Sequence, residues 1–234
     1  MNGVLFFLLA GLPSVHADID FKETQAVLYE AETNRKNPLY RFARVITALP
    51  NSVVRSETRF TDMEGTLTFF ERADSKKGKI IRYEWNHPQM GESGLVEMKG
   101  GKAYYTLKKG EKIQSETGDA PENFVIGPTI ISYAQSHWED LMNGSSVAVR
   151  IGVPDRLNDY GFRFTRDKTQ AAEKSGVVHV SLRPTSVFIS IAVKPIDFIF
   201  SNDGTHLLST KGMSLLKVKR NGKWEDLIAE TVFE

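Results

Sequence analysis

The 234-residue chain carries 30 basic and 29 acidic side chains and no cysteine. Near-neutrality without a basic stripe argues against nucleic-acid binding. The missing thiol excludes disulfides, thiolate metal sites, a cysteine nucleophile and a lipid-modified N-terminal cysteine. A chain of this length can bury roughly 70% of its unfolded surface in a core without such staples.

The chain opens on a short apolar run, Val4 to Leu12, followed by Pro13 and by Val15-His16-Ala17. Small or apolar residues at the −3 and −1 positions fit a signal peptide cleaved after Ala17, and hence a periplasmic or secreted product. The alternative is a buried N-terminal strand. The run falls short of the ~20 apolar residues of a membrane-spanning helix, so an integral membrane protein is not expected. Residues 18–234 then form one β-rich domain with no linker, fixed-period repeat or low-complexity segment.

Residues 25–33 and 39–49 read as strands on either side of a turn at Asn34-Arg35-Lys36-Asn37-Pro38. Residues 53–60, 66–72, 79–85, 94–100 and 102–110 continue the pattern, each bounded by Gly, Pro, Asn or Asp. Lys99-Gly100-Gly101-Lys102 reads as a tight hairpin, its glycines supplying the positive φ that such turns require. Lysines gather at 75–79, 108–112 and 217–223, beside glycine turns. They read as solvated hairpin tips that discourage edge aggregation, with contact to anionic lipid headgroups as the sharper alternative.

"GPTIISYAQSHWEDLMNG", residues 127–144, is different. Gly127-Pro128 suits a helix start and Asn143-Gly144 a stop. Ile130, Ile131, Ala134, Trp138, Leu141 and Met142 recur at helical spacing and predict one apolar stripe. Residues 146–154, 159–166, 177–184, 195–201, 205–210, 213–220 and 223–233 return to strand patterning. Between them residues 185–193, bracketed by Pro184 and Pro195 and nearly unbroken in apolarity, read as a short buried helix, with a strand as the alternative for so β-branched a segment. About a dozen strands, mostly sequential neighbours, favour antiparallel pairing. The fold class is thus mainly β with minor α: a large curved antiparallel sheet or open half-barrel, with one or two helices on its concave face.

Residues 65–106 resemble the periplasmic lipoprotein-carrier family, the Lol carriers. The resemblance rests on Gly65-Thr66-Leu67, Arg72, Tyr83-Glu84-Trp85, Leu95-Val96, Gly100-Gly101-Lys102 and Tyr104-Tyr105. It implies an open half-barrel whose mouth holds helices and whose hollow carries acyl chains. It also implies an arginine, Arg72, that meets the lid, although Ala73 stands where the carriers have proline. The carriers begin with an amphipathic helix, whereas residues 25–33 here read as a strand. The second half, from residue 127 to 212, resembles exported bacterial proteins of no assigned function and implies no activity.

His87, His137, His179 and His206 show no metal-binding spacing, and no nucleophile elbow, phosphate loop or dinucleotide fingerprint occurs. The acidic turn at Asp155-Arg156 and Asn158-Asp159 lacks the order of a calcium loop. No cofactor, metal or catalysis is expected. The leading expectation is a carrier of an acylated or apolar ligand, with Ile131, Trp138 and Phe188 lining the hollow. The alternative is a non-catalytic envelope scaffold or assembly factor with a filled core and a protein partner, and a third reading is a hydrolase or isomerase that uses the same cavity.

Overall fold

The computed structural model describes residues 21–169 and 176–234. The expected leader therefore lies outside the described residues. Each predicted strand segment lies in a strand, with the alternation of apolar and polar residues setting which face turns inward. The first eight strands are β1 (Phe21–Glu30), β2 (Pro38–Leu49), β3 (Val53–Asp62), β4 (Leu67–Lys76), β5 (Lys79–His87), β6 (Glu92–Lys99), β7 (Lys102–Lys109) and β8 (Lys112–Asp119). After the two-residue β9 (Phe124–Val125) come helices α1 (Thr129–Ser136) and α2 (Trp138–Met142). Strands β10 (Val147–Val153), β11 (Asn158–Arg166) and β12 (Val177–Pro184) lead to helix α3 (Val187–Ala192). The chain ends in β13 (Ile196–Ser201), β14 (Leu207–Arg220) and β15 (Lys223–Phe233).

All fifteen strands join one sheet, ordered β8-β7-β6-β5-β4-β3-β2-β1-β15-β14-β13-β12-β11-β10-β9. Neighbours are antiparallel except β9 with β10. The C-terminal strand pairs with β1, so the two halves of the chain spread in opposite directions from a central β1–β15 pair. Strands β8 and β9 are the two free edges, and the sheet is an open roll rather than a closed barrel.

Two apolar clusters fill the roll. The first gathers inward residues of β1, β2 and β4 to β7, among them Leu28, Phe69, Tyr83, Val96 and Tyr105. The second gathers those of β10 to β13 with α1 and α2, among them Leu141, Val149, Phe164 and Phe200. Strand β9 lies between them: Phe124 and Ile126 enter the first cluster while Val125 enters the second. Alternation along a strand thus lets one edge of the sheet tuck inside the other half.

The long β14–β15 hairpin closes the first hollow. Its register shifts between Met213 and Lys217, and Leu216 and Leu227, from its two arms, are fully buried in the first cluster. Residues 205–210 and 213–220 are therefore one strand carrying a bulge, where the sequence suggests two; an extra residue at a bulge bends the strand without ending it.

The helix of residues 127–144 breaks at His137. Its Nδ1 lies 3.0 Å from the Tyr133 carbonyl, the acceptor that a continuing helix would need, and the backbone N–H bonds to Ala134 instead. A side chain that competes for the i−4 carbonyl favours such a break. The apolar stripe nevertheless packs as expected, with Ala134 and Leu141 buried and Ile130, Ile131, Trp138 and Met142 against the second cluster.

Candidate functional site

Trp138 anchors the helix pair on the concave face. Its ring meets Phe200 edge-on at 5.3 Å. It also lies flat enough on the β13–β14 turn that a Cβ at Gly204 would come within 2.4 Å of it. Gly204 has φ +73°, so both the close approach and the backbone require glycine there. Gln135 donates to the Gly204 carbonyl at 2.8 Å. Asp203 accepts from Ser201, from the Thr205 amide and from the Thr205 hydroxyl, which hold its carboxyl down to about 2. Ile131 and Trp138 both pack against the second cluster, whose members include Val149, Phe164 and Phe200.

The third expected lining residue is elsewhere. Phe188 is 86% exposed on α3. The apolarity of residues 185–193 suggests burial, but Val187 and Ile191 are likewise 75% and 82% exposed, while Ile189 is half-buried and Val193 packs against the second cluster. Arg72 is also displaced from its expected role. Inward positions on β4 are Phe69, Glu71 and Ala73, so Arg72 points to the convex side. There it donates to Glu57 (2.8 and 2.7 Å) and Glu84 (2.7 Å) and meets no lid.

The inward arginine is Arg44. Register aligns Arg44, Thr58, Glu71 and Trp85 across four strands. Arg44 Nε donates to Thr58 Oγ1 at 3.1 Å, and its Nη2 lies 3.7 Å from Glu71 Oε1. The Tyr83 hydroxyl donates to Glu71 Oε2 at 2.8 Å. Burial lowers the Arg44 guanidinium below its ordinary value, opposed by Glu71. Burial, then the Glu71 charge, raises the Tyr83 phenol well above its own. Gly127, at φ +51°, seats the chain on this cluster: a Cβ there would stand 2.5 Å from the Tyr83 ring and 3.0 Å from Glu71. Thr129 locks the next turn, donating to the Ile126 carbonyl at 2.8 Å and accepting from the Ile126 amide at 2.9 Å. Every member is held by another, which suits a structural clasp across β2 to β5 beneath the Gly127 turn.

The sequence carries one signal for this cluster. In "LYRFARVITAL" the apolar phase Tyr40, Phe42 runs on into Arg44, a charge in step with the buried face.

His87 is 3% exposed, and neither ring nitrogen has a hydrogen-bond partner among the described residues. It lies edge-on to Phe69 (6.0 Å) and to Trp224 of β15 (6.2 Å). Burial, aided by Lys217 and opposed by Glu92, lowers its pKa below 6.5. The folded protein then binds fewer protons than the unfolded chain near and below that value. This stabilisation is complete above pH 6.5 and is lost as pH falls through the folded pKa. Chemical denaturation is expected to show a midpoint that drops from neutral to mildly acidic pH, and His87→Phe is expected to shrink that drop. An unchanged pH dependence in the variant would mean that other groups cause it.

Two hollows among the described residues open to solvent. One, of about 280 Å³, lies around Val27, Arg41 and Met63. The other, of about 490 Å³, is lined by Glu30, Glu32, Arg183, Lys194, Lys211 and Asp226, among others. Among the described residues no three acidic, histidine or cysteine side chains gather as a metal site, and no helix is long and apolar enough to cross a membrane.

No family model matches the chain, that of the Lol carriers included, and no curated protein matches it. Among solved structures it is similar to a "Beta-barrel-like Protein of Domain of Unknown Function DUF1849 from Brucella abortus", with 8% identity, 92% of this chain and 94% of that chain covered, and a TM-score of 0.42.

Proposed function

We propose that this chain is an exported, non-catalytic binding protein of the bacterial envelope that engages its partner with its outer surface. A rolled β-sheet with a covered concave face is compatible with a binding or carrier role. The observation that carries the outer-surface reading is a contrast. Both inner clusters are packed with side chains, while α3 presents three large apolar side chains to solvent. Isolated apolar side chains on a surface are ordinary, whereas three clustered on one short helix are the kind of patch that serves as an interaction site.

An acyl chain held between the sheet and α1–α2 is the competing reading. It requires the helix pair to lift from Phe200 and Gly204, breaking the Trp138 contacts and the Gln135 hydrogen bond. Uptake of added fatty acid separates the two. Native mass spectrometry after incubation with a long-chain fatty acid is expected to show the bare protein mass. A stoichiometric adduct that Trp138→Ala abolishes would establish the carrier reading instead.

A further inference from the structure

Helix α3 is a short, uncharged protrusion between Pro184 and Pro195. Val187, Phe188 and Ile191 stand at i, i+1 and i+4 and so share one side of it. On the other side Ile189 is half-buried, and Val193, just past the helix, packs against the second cluster. Cations flank it along the chain and on the strand that precedes it. Arg163 and Arg183 are directly opposed across β11 and β12, and Lys194 follows the helix. Like charges directly opposite on neighbouring strands are unfavourable without a counter-anion. None of the three forms a close ion pair among the described residues; Lys194 acts on Glu32 at longer range, and the carboxylates that share a hollow with Arg183 and Lys194 have closer partners. Glu32 pairs with Lys211, Glu30 with Arg220, and Asp197 accepts from Ser181.

We propose that α3, with Arg163, Arg183 and Lys194, docks the protein on an anionic lipid bilayer. The proposal rests on the outer-surface reading above and names its partner. An apolar tip inserts at the boundary between headgroups and acyl chains, while the cations that flank it meet the negative headgroups. The tip bears no charge that insertion would have to desolvate. The three basic side chains supply the counterpart for lipid phosphates. The sequence pointed instead to the lysine-rich turns for headgroup contact. In the structure several of those lysines are paired, Lys79 with Glu122, Lys109 with Glu92 and Lys217 with Asp226.

The test is co-sedimentation of the exported chain with two kinds of vesicle, phosphatidylcholine alone and phosphatidylcholine mixed with phosphatidylglycerol. Binding is expected to the mixed vesicles and to weaken as salt is raised. Replacing Phe188 and Ile191 together by serine is expected to lower partitioning at least about tenfold, since each loses a buried apolar side chain. Because both side chains are solvent-exposed, thermal unfolding should stay unchanged. Arg163→Glu with Arg183→Glu is expected to remove the preference for the anionic vesicles. A wild-type protein that stays in the supernatant with both vesicles overturns the proposal, as does a double serine variant that binds like the parent. Either result, with a bare protein mass, leaves the outer-surface reading standing and directs attention to a protein partner. An acyl adduct inside the protein overturns that reading itself.

Discussion

Glu71→Ala is expected to destabilise the protein by about 3 kcal/mol, because it removes one partner of a buried ion pair and leaves the other. Glu71 is 3% exposed and answers both the Arg44 guanidinium and the Tyr83 hydroxyl. Without it the guanidinium keeps the Thr58 hydroxyl and the Phe42 ring face, in surroundings that already disfavour its charge. The phenol loses its acceptor as well. Urea denaturation provides the measurement. The diagnostic comparison is Arg44→Met with Glu71→Leu, which replaces both charges by apolar groups and should recover much of the loss. If the double variant is no more stable than Glu71→Ala, the cluster is not the clasp described above.

Leu216→Ala should cost a similar amount, about 3 kcal/mol, for a different reason. Leu216 is fully buried where the β14–β15 hairpin bends over the first hollow, and its truncation leaves a void that neighbours can only partly refill. An apolar void of this kind stays dry and admits small apolar molecules. Benzene is therefore expected to raise the denaturation midpoint of the variant and not of the parent. A loss well under 1 kcal/mol would mean that the hairpin does not seal the hollow. The comparison also asks whether side chains or space occupy the interior.

The sequence and structure agree where side-chain periodicity meets a buried face. Strands such as β10 and β11 alternate Val147, Val149 and Ile151 against Phe162 and Phe164, and they form in that register. Strand β8 was not legible. "KIQSETGD" is polar and exposed, and its extended form comes from pairing with β7 rather than from any apolar phase of its own. Strand β9 is two residues long, too short for periodicity, and its meaning lies in the two cores that it separates.

The site was less legible than the fold. Composition places Phe188 in an apolar run but does not tell which side of a six-residue helix meets the protein. Arg72 illustrates the strict face rule of strands: one residue separates it from inward Glu71, and that step sends it to the convex side. Arg44 and Glu71 are fifteen or more residues apart in sequence and meet only through the register of three strands. The arginine pair at 163 and 183 is likewise a product of register. Cross-strand neighbours of this kind follow from pairing, which a single chain's local pattern does not specify.

The most direct test of a filled interior and an outer working surface is the native mass of the protein, purified from an envelope extract without detergent. A bare polypeptide mass, with no lipid released on denaturation, is the predicted result. A discrete co-purified lipid that is retained by the parent and lost from Trp138→Ala would contradict the account, and would place the ligand beneath α1 and α2.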